Sequence, residues 1–134
     1  MHKVDIASLV RDALLENDVD ESLLNNFDSH SIIVLDFDKT PKINIGHMDD
    51  DVWMWSLLGR VNHHTLKEIS EKLLSELMVG CAFTRSGQLQ CDINEGVFEL
   101  KALLHPSVLQ DSHLFSEALK SFLDSVLKYN DIIN

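Results

Sequence analysis

SIIVLDFDKTPKINIGHMDDDVWMWSLLG, residues 31–59, decides the fold. Positions 32–37 carry apolar side chains on both faces, Ile43 and Ile45 alternate with Lys42 and Asn44, and positions 52–58 are again apolar on both faces. Patterns of this kind predict three strands in succession. Pro41 has no N–H to give a ladder and so belongs at a strand start or an edge, and positions 46–51 have the composition of a turn. Short connections between consecutive strands imply an antiparallel meander.

Working outward, Asp5 is placed to cap a helix whose apolar positions Ile6, Leu9, Val10, Ala13 and Leu14 follow the 3.6-residue period. Positions 17–29 are acidic and without clear period, a connector in which Leu23, Leu24 and Phe27 pack down. After the meander, Thr65 and Glu68 have the spacing of a capping box, Leu66, Ile69, Leu73, Leu77 and Met78 mark one helix face, and Gly80 ends it. Positions 81–85, 88–93 and 97–104 read as three further strands, separated by Ser86-Gly87 and Asn94-Glu95-Gly96. Beyond Pro106, Asp111 or Ser112 caps a last helix, with paired apolar residues from Leu114/Phe115 to Val126/Leu127 at four-residue spacing. The expected fold is α+β, a twisted antiparallel sheet with three helices in the order α-β-β-β-α-β-β-β-α, in a single domain over residues 1–134.

The chain has 22 acidic against 11 basic side chains, a net charge of −11. Such a surface repels nucleic-acid phosphates and anionic lipid, so neither is an expected partner. No apolar run has the length of a membrane span, and Asp5, Arg11 and Asp12 interrupt what would be a signal core, so a cytosolic protein without membrane insertion is expected. Cys81 and Cys91 flank the turn at Ser86-Gly87, and two free thiols are the expectation in a reducing compartment.

Three chemical readings arise. The strand ending in Asp36-Phe37-Asp38-Lys39-Thr40 looks like the first motif of haloacid-dehalogenase-type phosphatases, with Asp36 as nucleophile and Asp38 as general acid. That chemistry needs a parallel strand followed by a helix, whereas Pro41 leads directly into another strand, and the run Asp49, Asp50 and Asp51 comes too soon to supply the distant acidic pair for a metal. His63 and His64, with His47 and the acidic run, invite a metal site, but no ligand spacing supports one. Trp53 and Trp55 share a strand face; core filling beneath a helix is the first reading, and an aromatic platform or dimer contact the alternative. No catalytic residue, metal or cofactor is predicted.

The opening helix DIASLVRDAL, then DSHSIIVLDF, DDDVWMWSLLG, SGQLQ, LKALLHP and FSEALKSF resemble, in order and over nearly the whole length, the class I chaperones of bacterial type III secretion systems, most closely the multi-effector SpaK/InvB kind. The resemblance implies a non-enzymatic, ATP-independent homodimer of the bacterial cytoplasm. It would hold N-terminal chaperone-binding segments of several secreted effectors extended on apolar patches, with the secretion apparatus as a further partner. Carried onto this chain, it implies effector contacts at Val10, Leu14, Ile33, Leu35, Ile43 and Ile45, and dimer contacts at Leu66, Leu73, Leu89 and Ile93.

Overall fold

The computed structural model describes residues 5–17 and 32–134; the connector with Leu23, Leu24 and Phe27 lies outside them. The described chain runs α1 (Ile6–Glu16), β1 (Ile33–Leu35), β2 (Ile43–Met48), β3 (Asp51–Arg60), α2 (His63–Leu77), β4 (Gln90–Asn94), β5 (Val97–Leu103), a 3₁₀ turn (Pro106–Gln110) and α3 (Ser112–Ile133). The strands form one antiparallel sheet in the order β1-β2-β3-β5-β4. This is the expected α+β architecture with three helices, one strand short.

The missing strand is 81–85. Its backbone is satisfied locally: Gly80 adopts φ +88°, Cys81 N–H donates to the Gly87 carbonyl at 2.7 Å, and the Thr84 hydroxyl donates to the Cys81 carbonyl at 2.8 Å. A segment that closes on itself leaves few groups for a ladder. Only a single bridge, Thr84 to Leu104, joins it to the sheet.

Turn chemistry sets the register. The β4–β5 hairpin closes through Glu95 and Gly96, at φ 53° and 81°, the left-handed pair that a two-residue hairpin favours. The β2–β3 hairpin closes through Asp49 and Asp50 alone, since Met48 pairs with Asp51. The turn is therefore shorter than positions 46–51 suggested, and Gly46 lies within β2, opposite Trp53.

The cap of α2 also differs from expectation. Asn62 is the cap residue, its side-chain oxygen accepting from Thr65 N–H at 2.8 Å, so the helix starts before Thr65 and takes His63 and His64 into its first turn. Asp5 and Asp111 cap α1 and α3 as the sequence implied.

One sheet face carries the core. Ile33 and Leu35, Ile43 and Ile45, Val52, Met54 and Leu58, and Phe98, Leu100 and Ala102 are buried in a single cluster with the apolar stripes of α1 and α3. Each of the larger of these side chains contributes roughly 1.5–3 kcal/mol when fully buried, Ala102 less. Ser56, buried among them, donates its hydroxyl to the Lys42 carbonyl at 2.7 Å, so the inner face keeps no polar cost there. At one end α1 is tied to α3 through polar side chains: Asn17 Nδ2 donates to the buried Ser116 hydroxyl at 3.0 Å, and His113 Nδ1 meets Glu16 Oε1 at 2.6 Å.

Candidate functional site

Antiparallel pairing puts directly opposed residues on the same face, and that rule maps the other side of the sheet. One row crosses all five strands: Val34, Asn44, Trp55, Lys101 and Gln90. A second joins Gly46, Trp53 and Leu103, and a third Leu57, Glu99 and Asp92. Among the described elements no helix covers these rows. Val34 is 50% exposed, Leu57 54% and Met48 65%, and the two indoles are half-buried.

This overturns the first reading of Trp53 and Trp55. Their strand has two apolar faces, and Val52 and Met54 take the buried one. The indoles line a cleft of about 210 Å³ with Met48, Glu99 and Lys101. Its volume is below the ~300–1,000 Å³ of small-molecule pockets and suits a side chain. Lys101 Nζ lies 3.3 Å from Asp92 and 3.2 Å from Glu99, so this cation is already compensated. Burial is the largest single influence on the Lys101 pKa and lowers it, but the hydrogen bonds and charges of Glu99 and Asp92 together outweigh it, and the net shift is upward. At the end of the cleft, Asp51 is held by Arg85 at 2.7 Å.

The six residues expected at the effector contact are elsewhere. Val10, Leu14, Ile33, Leu35, Ile43 and Ile45 are all buried in the protomer's own core, none more than 6% exposed. The physical reason is that the better-patterned face of each element is the one the helices cover. The adjacent positions, Val34 on β1 and Ile32 just before it, are the exposed ones.

The four dimer expectations fare differently. Leu66, Leu73 and Ile93 meet in one open cleft of about 320 Å³ between α2 and the β4–β5 hairpin, shared with Leu77, Cys91 and Phe98. Leu89 is not part of it and is buried in the core. Leu73 is the one α2 residue that is itself buried, while Leu74, Met78 and Ile93 remain exposed. A 15-residue helix is marginal without tertiary support, and α2 has Leu73 alone fully buried while Leu74 stays exposed.

The alternative chemistry finds no support in the geometry. Asp36 and Asp38 are exposed beyond an antiparallel edge strand, and Asp36 Oδ1 accepts from Asp38 N–H at 3.1 Å, a local turn. Asp38 and Lys39 stand at φ 58° and 57°, and β2 follows where a phosphatase needs a helix. Among the described residues no group of three His, Cys, Asp or Glu side chains converges. Cys81 and Cys91 are free and half-buried. Burial pushes the Cys91 thiol up to about 11 and raises that of Cys81, the reverse of nucleophile activation.

The five-stranded antiparallel sheet with the described helices on one face, together with the family of the chain, places it among the type III secretion chaperones, a class that is not enzymatic. The chain belongs to the Invasion protein B family, whose model matches residues 18–95. It is 45% identical over 122 residues to the surface presentation of antigens protein SpaK of Salmonella typhimurium and to that of Salmonella typhi, covering 91% of this chain and 90% of each relative. Among solved structures, a chain of the heterodimeric complex ExoU-SpcU from the type III secretion system of Pseudomonas aeruginosa shares the fold, with a TM-score of 0.59 at 14% identity, covering 92% of this chain and 96% of that one. No described helix is long and apolar enough to cross a membrane.

Proposed function

We propose that this protein binds N-terminal segments of several effector proteins in the bacterial cytoplasm and keeps them stable and secretion-competent without ATP, residues 1–134 acting as one domain within a homodimer. The observation that carries the reading is the uncovered sheet face centred on Trp53 and Trp55. An extended segment without a core of its own offsets its ordering cost only over a long apolar contact, on the order of 1,000–3,000 Å². A sheet face left bare by the described elements offers contact of that kind, and a homodimer presents two such faces. The net charge of −11 keeps such a surface soluble between clients.

The homodimer reading is supported by the cleft between α2 and β4, where Leu66 and Ile93 have apolar surface that their own chain leaves open beside the buried Leu73. The cleft lies on the opposite side of the sheet from the indoles, because Ile93 pairs with Phe98 of the buried face. Dimerisation therefore leaves the proposed effector surface free.

The test is direct. N-terminal segments of effectors from the protein's own host are titrated into the purified protein with and without ATP, and effector lifetime is followed in cells with and without the chaperone. Binding of more than one segment, equal in the two nucleotide conditions, is the expected result. Absence of affinity for every such segment, with effector lifetime and secretion unchanged, overturns the reading.

A further inference from the structure

The indole cleft has a charged end as well as apolar walls. Met48 forms part of its lining, and the next two residues, Asp49 and Asp50, are the exposed tip of the β2–β3 hairpin. Asp51 is engaged by Arg85, and Lys101 by Asp92 and Glu99; no ion pair is formed by Asp49 or Asp50 among the described residues. The cation nearest the apolar walls is thus spent, while two carboxylates stand on the adjoining hairpin tip, next in sequence to Met48.

We infer that the cleft is a reading site for a two-part element in the effector segment: one large apolar side chain seated between Trp53 and Trp55, and a Lys or Arg within about four residues of it that reaches Asp49 and Asp50. The spacing follows from the strand. Trp53 lies three residues from Asp50, roughly 10 Å along an extended chain, which a segment lying across the face matches with a similar number of residues. The apolar part supplies affinity through burial, and the basic part fixes which way the segment runs and excludes acidic segments. This inference deepens the effector-binding reading and rests on it.

The protein contains two tryptophans, and both line the cleft, so its tryptophan fluorescence, excited selectively over that of Tyr129, reports on this site. The probes are synthetic extended peptides without Trp or Tyr, carrying one Leu with a Lys three residues on, and matched peptides with Leu→Ala or Lys→Glu. The Leu/Lys peptide is expected to shift the emission and to bind about two- to fivefold more tightly than its Lys→Glu counterpart at low salt, the range of an exposed ion pair. The Leu→Ala peptide should lose most of the response. In the Asp49→Asn/Asp50→Asn variant, which keeps a residue type tolerant of the left-handed turn at position 49, the preference for Lys over Glu should vanish while the dependence on Leu remains. Equal affinity for the Lys and Glu peptides, or a preference that survives in that variant, overturns the inference. Host effector segments are measured on the same two proteins. If they bind both equally and without a change in fluorescence, the effector-binding reading stands and the reading site falls; if none binds the wild type, the broader reading itself has failed.

Discussion

The ring of Trp55 lies over Gly46, diagonally across the β2–β3 ladder: a methyl group on Gly46 would stand 3.3 Å from Trp55 Cη2 and 3.2 Å from Ile32 Cγ1. A glycine inside a strand weakens it by losing entropy and packing. Here the missing side chain is the space that lets the indole lie down on the sheet.

Replacement of Gly46 should therefore act on the indole more than on the fold. Gly46→Ala recovers about 0.5–1 kcal/mol of backbone entropy and spends a comparable amount on the close contacts, leaving the melting temperature nearly unchanged. Gly46→Val has no such balance; it should lift Trp55 into water, red-shift the emission and weaken effector binding. An unshifted spectrum in Gly46→Val would mean that the ring does not rest there in solution.

Core and site can be separated by one pair of variants. Ile43→Ala removes a fully buried side chain from the inner face and should cost about 2–5 kcal/mol, with binding lost only as the protein unfolds. Trp55→Ala should cost less than about 2 kcal/mol and abolish most effector binding in a protein that still melts cooperatively. Intact binding by folded Trp55→Ala would move the effector surface away from this face.

The dimer is best tested at Ile93, which is 38% exposed in the protomer, and not at Leu73, which is buried in it. Ile93→Asp should leave the protomer's circular dichroism intact and lower the mass seen by light scattering from twice 15.2 kDa to that of one chain. A charge placed in an apolar interface without a partner costs enough to break it. A dimer that survives Ile93→Asp would remove the cleft between α2 and β4 from the interface.

The Glu16–His113 contact predicts a pH dependence. The hydrogen bond and charge of Glu16 raise the His113 pKa above its ordinary 6.5, with Glu117 and Asp111 adding to the effect. A group whose folded pKa is raised contributes stability that is full below its unfolded value and lost as pH rises through the folded one. The advantage of wild type over His113→Gln in urea unfolding should accordingly be larger at about pH 6 than at about pH 8.5. The same difference at both values would show that the pair does not hold α1 to α3 in solution.

Much of the architecture was legible because periodicity and cap chemistry agree: α1 and α3 begin at Asp5 and Asp111, and the inward set Phe98, Leu100 and Ala102 alternates with Glu99 and Lys101 as β5 requires. Which face of the sheet stays open was not, because β1 and β3 are apolar on both faces and a period of two cannot say which face the helices cover. The signal that would have decided it is the register: Trp55 stands opposite Lys101, and Leu57 opposite Glu99, so the indoles belong with the charged face of β5. Register depends on turn lengths, and the turn at Asp49 and Asp50 is four residues shorter than the stretch of turn-like composition around it. The segment 81–85 misled for a related reason, since its β-prone side chains do not show that its backbone is already engaged with Gly87 and Thr84.

The described helices lie on only one side of this sheet, and that separation has an evolutionary consequence. Substitutions on the indole face change neither the packing against α1 nor that against α3, so on the proposed effector-binding reading selection for a new client can proceed there without first drawing on the stability of the fold. Lineages sharing this scaffold are free to diverge fastest at Ile32, Val34, Met48 and Leu57, while Ile33, Ile43, Met54 and Leu100 change only in step with the helices above them.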